Sequence, residues 1–151
     1  RERKGRGMRH WGERRGLSDV DTNELFYNYR LFKNVFQSER YLSILPQQFS
    51  LSFLHFRTLN HRLPIQRGRF IGVLQKERVC NLCNNGDIGD EFHYVFQCNY
   101  FNNDRNNLIP SYYRNKPNVI KFFELFTTTK KKTLIQLARF LQLVMKNVWW
   151  M

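Results

Sequence analysis

Apolar residues recur along this chain mainly at intervals of three and four, the spacing of one face of an α-helix. The pattern covers four stretches, residues 25–36, 49–56, 119–126 and 134–148. A shorter apolar piece, 41–45, ends before a proline. The pattern therefore predicts a mainly α fold, a small helical domain with little or no β-hairpin structure.

Polar residues that can cap helices mark where two of these elements begin. Ser18 or Asp21 can cap the first helix, and Glu24 stands three residues after Asp21, as in a capping box. Asn118, which follows Pro117, can open the third helix. These caps support separate helices rather than one long one.

Two of the predicted helices have surfaces that could either pack or bind. Phe49, Phe53 and Phe56 could stack on nucleic-acid bases, but an aromatic stripe at this spacing is more typical of a core. The last stretch is apolar on several sides, so it is either deeply buried or docked on a partner. Intramolecular burial is the favoured interpretation, and it predicts that Leu141 lies in the core.

The segment that follows the second helix, residues 57–79, is basic and poorly suited to a continuous helix. Pro64 and Gly68 interrupt it, and Glu77 is its only acidic residue. We interpret it as an extended segment that follows phosphates, with a charged surface loop as the alternative. The predicted nucleic-acid contacts are its arginines, Arg57, Arg62, Arg67, Arg69 and Arg78.

The beginning of the chain is rich in arginine and glycine and holds little that could be buried. This composition predicts a flexible basic arm or linker over residues 1–20, followed by one helical domain over residues 21–151. The arm could contact phosphates or act as a nuclear-localisation signal, or it could be a solvated tether. Because the chain begins with Arg1 rather than Met, we expect it to be a piece of a longer polypeptide.

The overall charge indicates which class of partner the chain could bind. The 151 residues include 25 Lys and Arg against 12 Asp and Glu, a net charge of +13. Such a surface favours polyanions such as nucleic acid, with an anionic membrane surface as the competing partner. No apolar run approaches the roughly 20 residues of a membrane span, so we expect a soluble chain. Of the two polyanions, we expect nucleic acid as the partner and no membrane.

All three cysteines of the chain lie in one short stretch that also holds a histidine. Cys80 and Cys83 are separated by two residues, nine residues lead from Cys83 to His93, and four lead from His93 to Cys98. This is the spacing of a closed Cys3His site. Four protein ligands leave no coordination position for water, so the sequence predicts a structural Zn2+.

The predicted zinc knuckle, about residues 76–108, differs in charge from the basic segment before it. Between residues 81 and 110 Arg105 is the only Lys or Arg, against four acidic residues, so the knuckle is not expected to be the main phosphate contact. Asp90 can cap a helix whose first turn carries His93. The alternatives are three reduced cysteines that are simply buried, or a disulfide, which would leave one cysteine over.

Two further runs accompany the cysteines. They are Phe-Arg-Thr-Leu-Asn-His-Arg-Leu-Pro-Ile-Gln-Arg-Gly-Arg at 56–69 and Pro-Asn-Val-Ile-Lys-Phe at 117–122. Together with Cys-Asn-Leu-Cys and Gly-Asp-Glu-Phe-His-Tyr, they resemble the C-terminal part of non-LTR retrotransposon reverse transcriptases over about residues 24–145. The four predicted ligands match the Cys-Cys-His-Cys zinc motif of that family. Gln66 departs from the family pattern, which has an acidic residue there.

The resemblance implies handling of RNA template or target DNA during target-primed reverse transcription, in an intracellular and nuclear setting. It also implies a partner, the polymerase domain that lies upstream in the same polypeptide. The chain itself has no Asp-Asp dipeptide with which a palm domain holds its metals, so it is not expected to be an enzyme alone. A nuclease built from His55, Asn60 and His61 would lack a convincing base and set of metal ligands.

Two hypotheses about function remain open at this point. In the first, the chain is a nucleic-acid-binding segment of a reverse transcriptase, folded by zinc and holding phosphates through its basic segment. In the second, it is a zinc-stabilised interaction module that docks on a protein through its apolar C-terminal helix. Binding to phosphates weakens steeply with salt, whereas apolar docking does not.

Overall fold

A computed structural model describes residues 38–149 of the chain. The predicted basic arm over 1–20 and the predicted helix over 25–36 lie outside these residues. Within the described range the chain is helical, and its β structure is an isolated antiparallel bridge between Val79 and Ile88. The prediction of a mainly α fold with a Cys3His knuckle is therefore confirmed.

Seven α-helices lie within the described residues, and a stretch without a regular α-helix, which carries the cysteines, separates the third from the fourth. They are α1 Arg40–Ile44, α2 Gln47–Arg57, α3 Pro64–Phe70, α4 Asn102–Leu108, α5 Ser111–Arg114, α6 Val119–Thr127 and α7 Lys131–Trp149. Single turns of 3-10 helix cover Gln75–Glu77 and Asn99–Phe101. A π-helical turn covers His93–Gln97.

The long helix α7 forms the centre of the molecule, and α2, α4 and α6 pack against it. Its apolar stripe is buried within the chain: Leu134, Leu137, Ala138, Phe140, Leu141, Val144, Met145 and Val148. The favoured interpretation of the C-terminal stripe, intramolecular burial, is thereby confirmed. None of the helices in residues 38–149 has the length and apolar character that a membrane crossing requires.

The aromatic stripe of α2 belongs to this core. Phe53 and Phe56 both stack on Phe126 of α6, with ring centroids 5.7 Å apart in each pair. Asn118 begins α6 as expected, because its Oδ1 accepts a hydrogen bond from the backbone N–H of Lys121 at 2.9 Å. The α2 rings are thus packing residues and are not exposed to nucleic-acid bases.

The prediction of an extended basic segment is wrong over residues 64–70, which form helix α3. Pro64 occupies the first turn, where its fixed φ suits a helix and its missing N–H is not needed. Gly68 is accommodated because the stem of Arg78 lies beside it: a Cβ at Gly68 would be 2.6 Å from Arg78 Cγ. Tertiary packing of Arg78 therefore explains a glycine that the sequence suggested was a helix breaker.

Candidate metal centre

The four predicted ligands converge on one point. The Sγ atoms of Cys80, Cys83 and Cys98 and a ring nitrogen of His93 lie within 4.8 Å of one another, and all four side chains are buried. Cys80 Sγ is 3.8 Å from Cys98 Sγ, and Cys83 Sγ is 3.3 Å from His93 Nε2. In a tetrahedral zinc site two thiolates lie about 3.8 Å apart, and a thiolate and an imidazole nitrogen about 3.6 Å. The donor set and its spacing therefore fit a zinc ion.

The first two ligands sit on a tight turn that the following loop holds in place. The N–H of Leu82 points at Cys80 Sγ, 3.4 Å away, so the turn wraps around the sulfur. The N–H of Cys80 donates to the carbonyl of Asp87 at 2.8 Å. Gly86 allows the return of the chain because its φ is +76°, in the left-handed region that favours glycine. These hydrogen bonds therefore hold the two thiols of the turn on the same side of the chain as the other ligands.

The π-helical turn explains how His93 and Cys98 reach the same site. Five residues make about 1.4 turns of α-helix, which would point the two side chains apart. Here the N–H of Cys98 donates to the carbonyl of His93 at 2.8 Å, and this wider turn brings the side chains together. Asp90 caps the start, as predicted, since its Oδ1 accepts from the N–H of His93 at 2.7 Å.

Arg105 of α4 holds the second pair of ligands from behind. Its buried guanidinium donates to the carbonyls of Val95 and Cys98, at 2.7 Å each, and to Asn102 Oδ1. These carbonyls lie in and just after the π-helical turn, and the carbonyl of Cys98 also accepts from the N–H of Phe101 at 3.3 Å. Arg105 therefore positions Cys98, and its charged guanidinium makes its hydrogen bonds inside the protein.

The thiols of Cys80 and Cys98 differ in their preference for the ionised form. Hydrogen bonding with Cys98 lowers the pKa of Cys80 to about 2, against the opposing effect of burial. The same contact, together with burial, raises the pKa of Cys98. One thiolate is therefore already favoured in the cluster, which suits a metal that binds sulfur as thiolate. A carboxylate also lies near the histidine ligand: Asp87 Oδ2 is 3.8 Å from His93 Nδ1, the ring nitrogen that does not face Cys83.

A backbone hydrogen bond and a close contact fasten helix α3 to the knuckle. The N–H of Ile65 donates to the carbonyl of Gly89 at 3.2 Å. Gly89 must be small, because a Cβ there would lie 2.8 Å from Pro64 Cγ and 3.2 Å from Cys80 Cα. The metal-binding turn and the start of α3 are therefore one packed unit.

A buried polar cluster makes a second connection between α3 and the knuckle. His61 Nε2 lies 2.9 Å from Glu91 Oε1, and Gln66 Nε2 donates to the same oxygen at 3.5 Å. The N–H of Leu63 lies 3.4 Å from His61 Nδ1, so Nε2 is the ring nitrogen that faces the carboxylate. Burial would raise the pKa of Glu91, but the contact with His61 and its charge outweigh burial and lower that pKa.

Two of the five arginines predicted to contact nucleic acid are instead buried. Arg57 lies over the ring of Tyr41 and pairs with Glu39, Nη1 to Oε2 at 3.0 Å. Arg78 donates to the carbonyls of Val73 and Ile65, at 2.9 and 3.2 Å. The assignment of these two as phosphate contacts is corrected, because both guanidinium groups are engaged inside the chain.

The other three predicted arginines lie closer to solvent. Arg62 and Arg67 are exposed and Arg69 is half-buried. Arg67 and Arg69 are on α3, and Arg62 lies just before it. Because α3 is attached to the knuckle through Gly89 and Glu91, these charges hold a fixed position relative to the metal ligands.

Sequence reasoning missed the supporting residues more than the ligands. Arg105 stood out only as a lone cation, and the pairing of His61 with Glu91 joins residues that are distant in the chain. The sequence does carry a signal for Arg105, a single basic residue within an acidic stretch that follows the last ligand. The sequence carries no signal that His61 is the partner of Glu91.

Comparisons with known protein families, with curated proteins and with solved structures find no match to this chain. What the centre can do is therefore inferred from its residues and their geometry. A closed set of three thiols and one imidazole suits a structural metal and offers no open position for catalysis.

Proposed function

We propose that this chain is a zinc-binding, nucleic-acid-binding C-terminal segment of a non-LTR retrotransposon reverse transcriptase. It would position RNA template or target DNA for a polymerase domain of the same polypeptide, without catalysing the reaction itself. The observation that carries the proposal is the buried cluster of Cys80, Cys83, His93 and Cys98, in the order and spacing of the family's motif. The nuclear location remains part of the same proposal.

Zinc is the metal that this donor set favours. Thiolate sulfur and imidazole nitrogen are the ligands of structural zinc sites, and the sulfur–sulfur distance of 3.8 Å equals the spacing expected for tetrahedral Zn–S bonds of about 2.3 Å. A closed site contributes to folding instead of chemistry. The proposed role of the metal is to hold the knuckle and, through it, helix α3.

Nucleic-acid binding is supported by where the accessible cations lie. Arg62, Arg67 and Arg69 are clustered on or next to α3, in a chain with a net charge of +13. Phosphates are bound by such clusters through counterion release, which makes affinity fall with salt. The competing proposal, docking on a protein through the C-terminal helix, has less support because the apolar stripe of α7 is buried against the other helices.

A salt titration with two charge-matched variants tests this function. The first variant replaces Arg62, Arg67 and Arg69 by alanine. The second replaces Lys130, Lys131 and Lys132 by alanine, which removes the same charge from exposed positions near the start of α7. We expect the arginine variant to bind single-stranded RNA or DNA more weakly, with a salt slope lower by about 0.7 for each phosphate that the variant no longer neutralises.

The lysine variant is expected to keep most of the affinity, and both variants are expected to keep their zinc. Equal weakening in the two variants would show that net charge alone attracts the polyanion. Absence of salt-dependent binding by the unmodified chain, even at low ionic strength, would reject the proposed function.

A further inference from the structure

A groove beside α3 combines cations with an exposed aromatic ring. Its volume is about 410 Å³, within the range of about 300–1,000 Å³ typical of small-ligand sites. The residues that line it include His55, Asn60, Arg62, Arg67 and Phe70, and no carboxylate is among them. A site of this composition attracts an anion and offers it an apolar surface as well.

The aromatic ring is the unusual part of this groove. Phe70 is 77% exposed and its neighbour Ile71 is 68% exposed, at the end of a helix whose opposite face is packed on the knuckle. Arg67 lies three residues before Phe70 and four before Ile71, so all three side chains share one face of the helix. Burial of a phenylalanine side chain is favourable, so this exposed ring would gain stability from contact with a flat apolar ligand.

The helix that carries this ring is held in place by residues outside the groove. Gly68 packs on the stem of Arg78, and Gln66 reaches the buried carboxylate of Glu91. These contacts hold the inner face of α3, so that Arg67 and Phe70 are presented outward. A preorganised surface loses little conformational entropy when a ligand binds.

Single-stranded nucleic acid is the ligand that fits both halves of the groove. Its phosphate matches the guanidinium groups of Arg62 and Arg67, and its unpaired base offers a flat face for Phe70. A duplex keeps its base faces inside the stack and presents mainly phosphates to such a surface. A second groove, of about 220 Å³, shares Arg62, Arg67 and Ile71 with the first, but its lining includes the carboxylate of Glu77, so the anion is assigned to the first groove.

We propose that this groove binds an unpaired nucleotide, with the base stacked on Phe70 and its phosphate between Arg62 and Arg67. The inference rests on the proposed nucleic-acid-binding function and makes it more specific. It assigns the chain a preference for single strands over duplexes, and it names Phe70 as the residue responsible for that preference.

The test compares Phe70→Ala and Phe70→Leu with the unmodified, zinc-loaded chain. Affinities are measured by fluorescence anisotropy for a short single-stranded oligonucleotide and for a duplex of the same sequence. We expect Phe70→Ala to weaken single-strand binding roughly 5- to 100-fold, the effect of removing one base–aromatic stack. The salt slope and duplex affinity should remain unchanged. Phe70→Leu keeps an apolar side chain without the flat ring, so it should also bind single strands more weakly.

Phe123→Leu is the matched control, because it removes a partly exposed phenylalanine from α6, away from the groove. It should leave single-strand affinity unchanged. Equal weakening of single-strand and duplex binding by Phe70→Ala, or no weakening of either, would overturn the stacking proposal.

Failure of this inference and failure of the proposed function give different results. If the unmodified chain binds no nucleic acid at low salt, the function is rejected and the groove has no such ligand. If the unmodified chain binds with a salt dependence that Arg62→Ala and Arg67→Ala reduce, while Phe70→Ala binds equally well, only the stacking site is rejected. Zinc content and melting temperature, measured for each variant, identify any weakening caused by misfolding.

Discussion

The helical core and the metal knuckle are stabilised by different means within one small chain. In the core, α2, α6 and α7 bury leucine and phenylalanine side chains against one another, and burial of each contributes about 1.5–3 kcal/mol. The knuckle has a single β-bridge, a π-helical turn and three buried thiols. Apolar burial alone holds the first region. In the second, Tyr94, Val95 and Phe96 join the same core, and the four converging ligands add a second means of stabilisation.

The comparison also shows how the two regions depend on each other. Helix α3 carries the accessible arginines, yet its inner face packs on the knuckle through Gly89 and the cluster of Gln66 and Glu91. If the chain binds nucleic acid as proposed, a metal centre that touches no phosphate can therefore control that binding by holding α3. Three variants can separate the two regions.

The largest effect is expected from His93→Ala, which removes one ligand from the metal centre. Structural zinc contributes on the order of 10 kcal/mol of apparent folding free energy in small modules. We expect zinc to be released and amide hydrogen exchange to increase first over residues 80–105, while α2 and α7 keep their protection. His55→Ala, which changes a histidine outside the cluster, should retain the metal. Simultaneous loss of protection in both regions would show that they do not fold separately.

A smaller effect, about 4 kcal/mol or more, is expected from Leu141→Asp in α7. Leu141 is fully buried, so the substitution places an unpaired charge in the core. Gln142→Asp adds the same charge at the exposed neighbouring position and should change stability little. The free energy of unfolding in denaturant measures both. A Leu141→Asp variant with the stability of the original chain would make the stripe a partner surface and would favour the protein-docking hypothesis.

The smallest effect is expected from Arg105→Leu, which keeps bulk but removes the guanidinium. The carbonyl of Val95 then loses its bond from Arg105, and the carbonyl of Cys98 keeps only the 3.3 Å bond from the N–H of Phe101. An unsatisfied buried polar group costs about 1–3 kcal/mol. We expect weaker zinc affinity in competition with a chelator. Arg114→Leu removes a similar hydrogen bond outside the knuckle, to the carbonyl of Ile109, and should leave zinc affinity unchanged. Equal zinc affinity in the two variants would mean that Arg105 does not position Cys98.

Much of the core and the ligand set could be predicted from the sequence because both are short-range patterns. The spacing of Phe53 and Phe56 along α2, and of Leu137 and Leu141 along α7, is the period of a helix face. The ligand spacing of the knuckle is equally local. These predictions needed no knowledge of which helix packs on which.

The arginines could not be sorted in this way, because their roles depend on distant partners. Arg57 is buried by Glu39 and Tyr41, and Arg78 by carbonyls that α3 and the chain after it bring near. The sequence alone does not distinguish these two buried arginines from Arg62, which is exposed. The helix α3 was not predicted for a related reason. A glycine at position 68 suits this helix only because the side chain of Arg78 packs against it, and Arg78 lies outside the helix.

X-ray absorption at the zinc edge tests the central claim, that these four side chains hold one metal, most directly. The chain is purified after expression with zinc and measured together with its metal content. The account predicts one zinc per chain, with three sulfur neighbours at about 2.3 Å and one nitrogen at about 2.0–2.1 Å. A chain that folds without zinc, or a zinc shell made of oxygen neighbours, would contradict it.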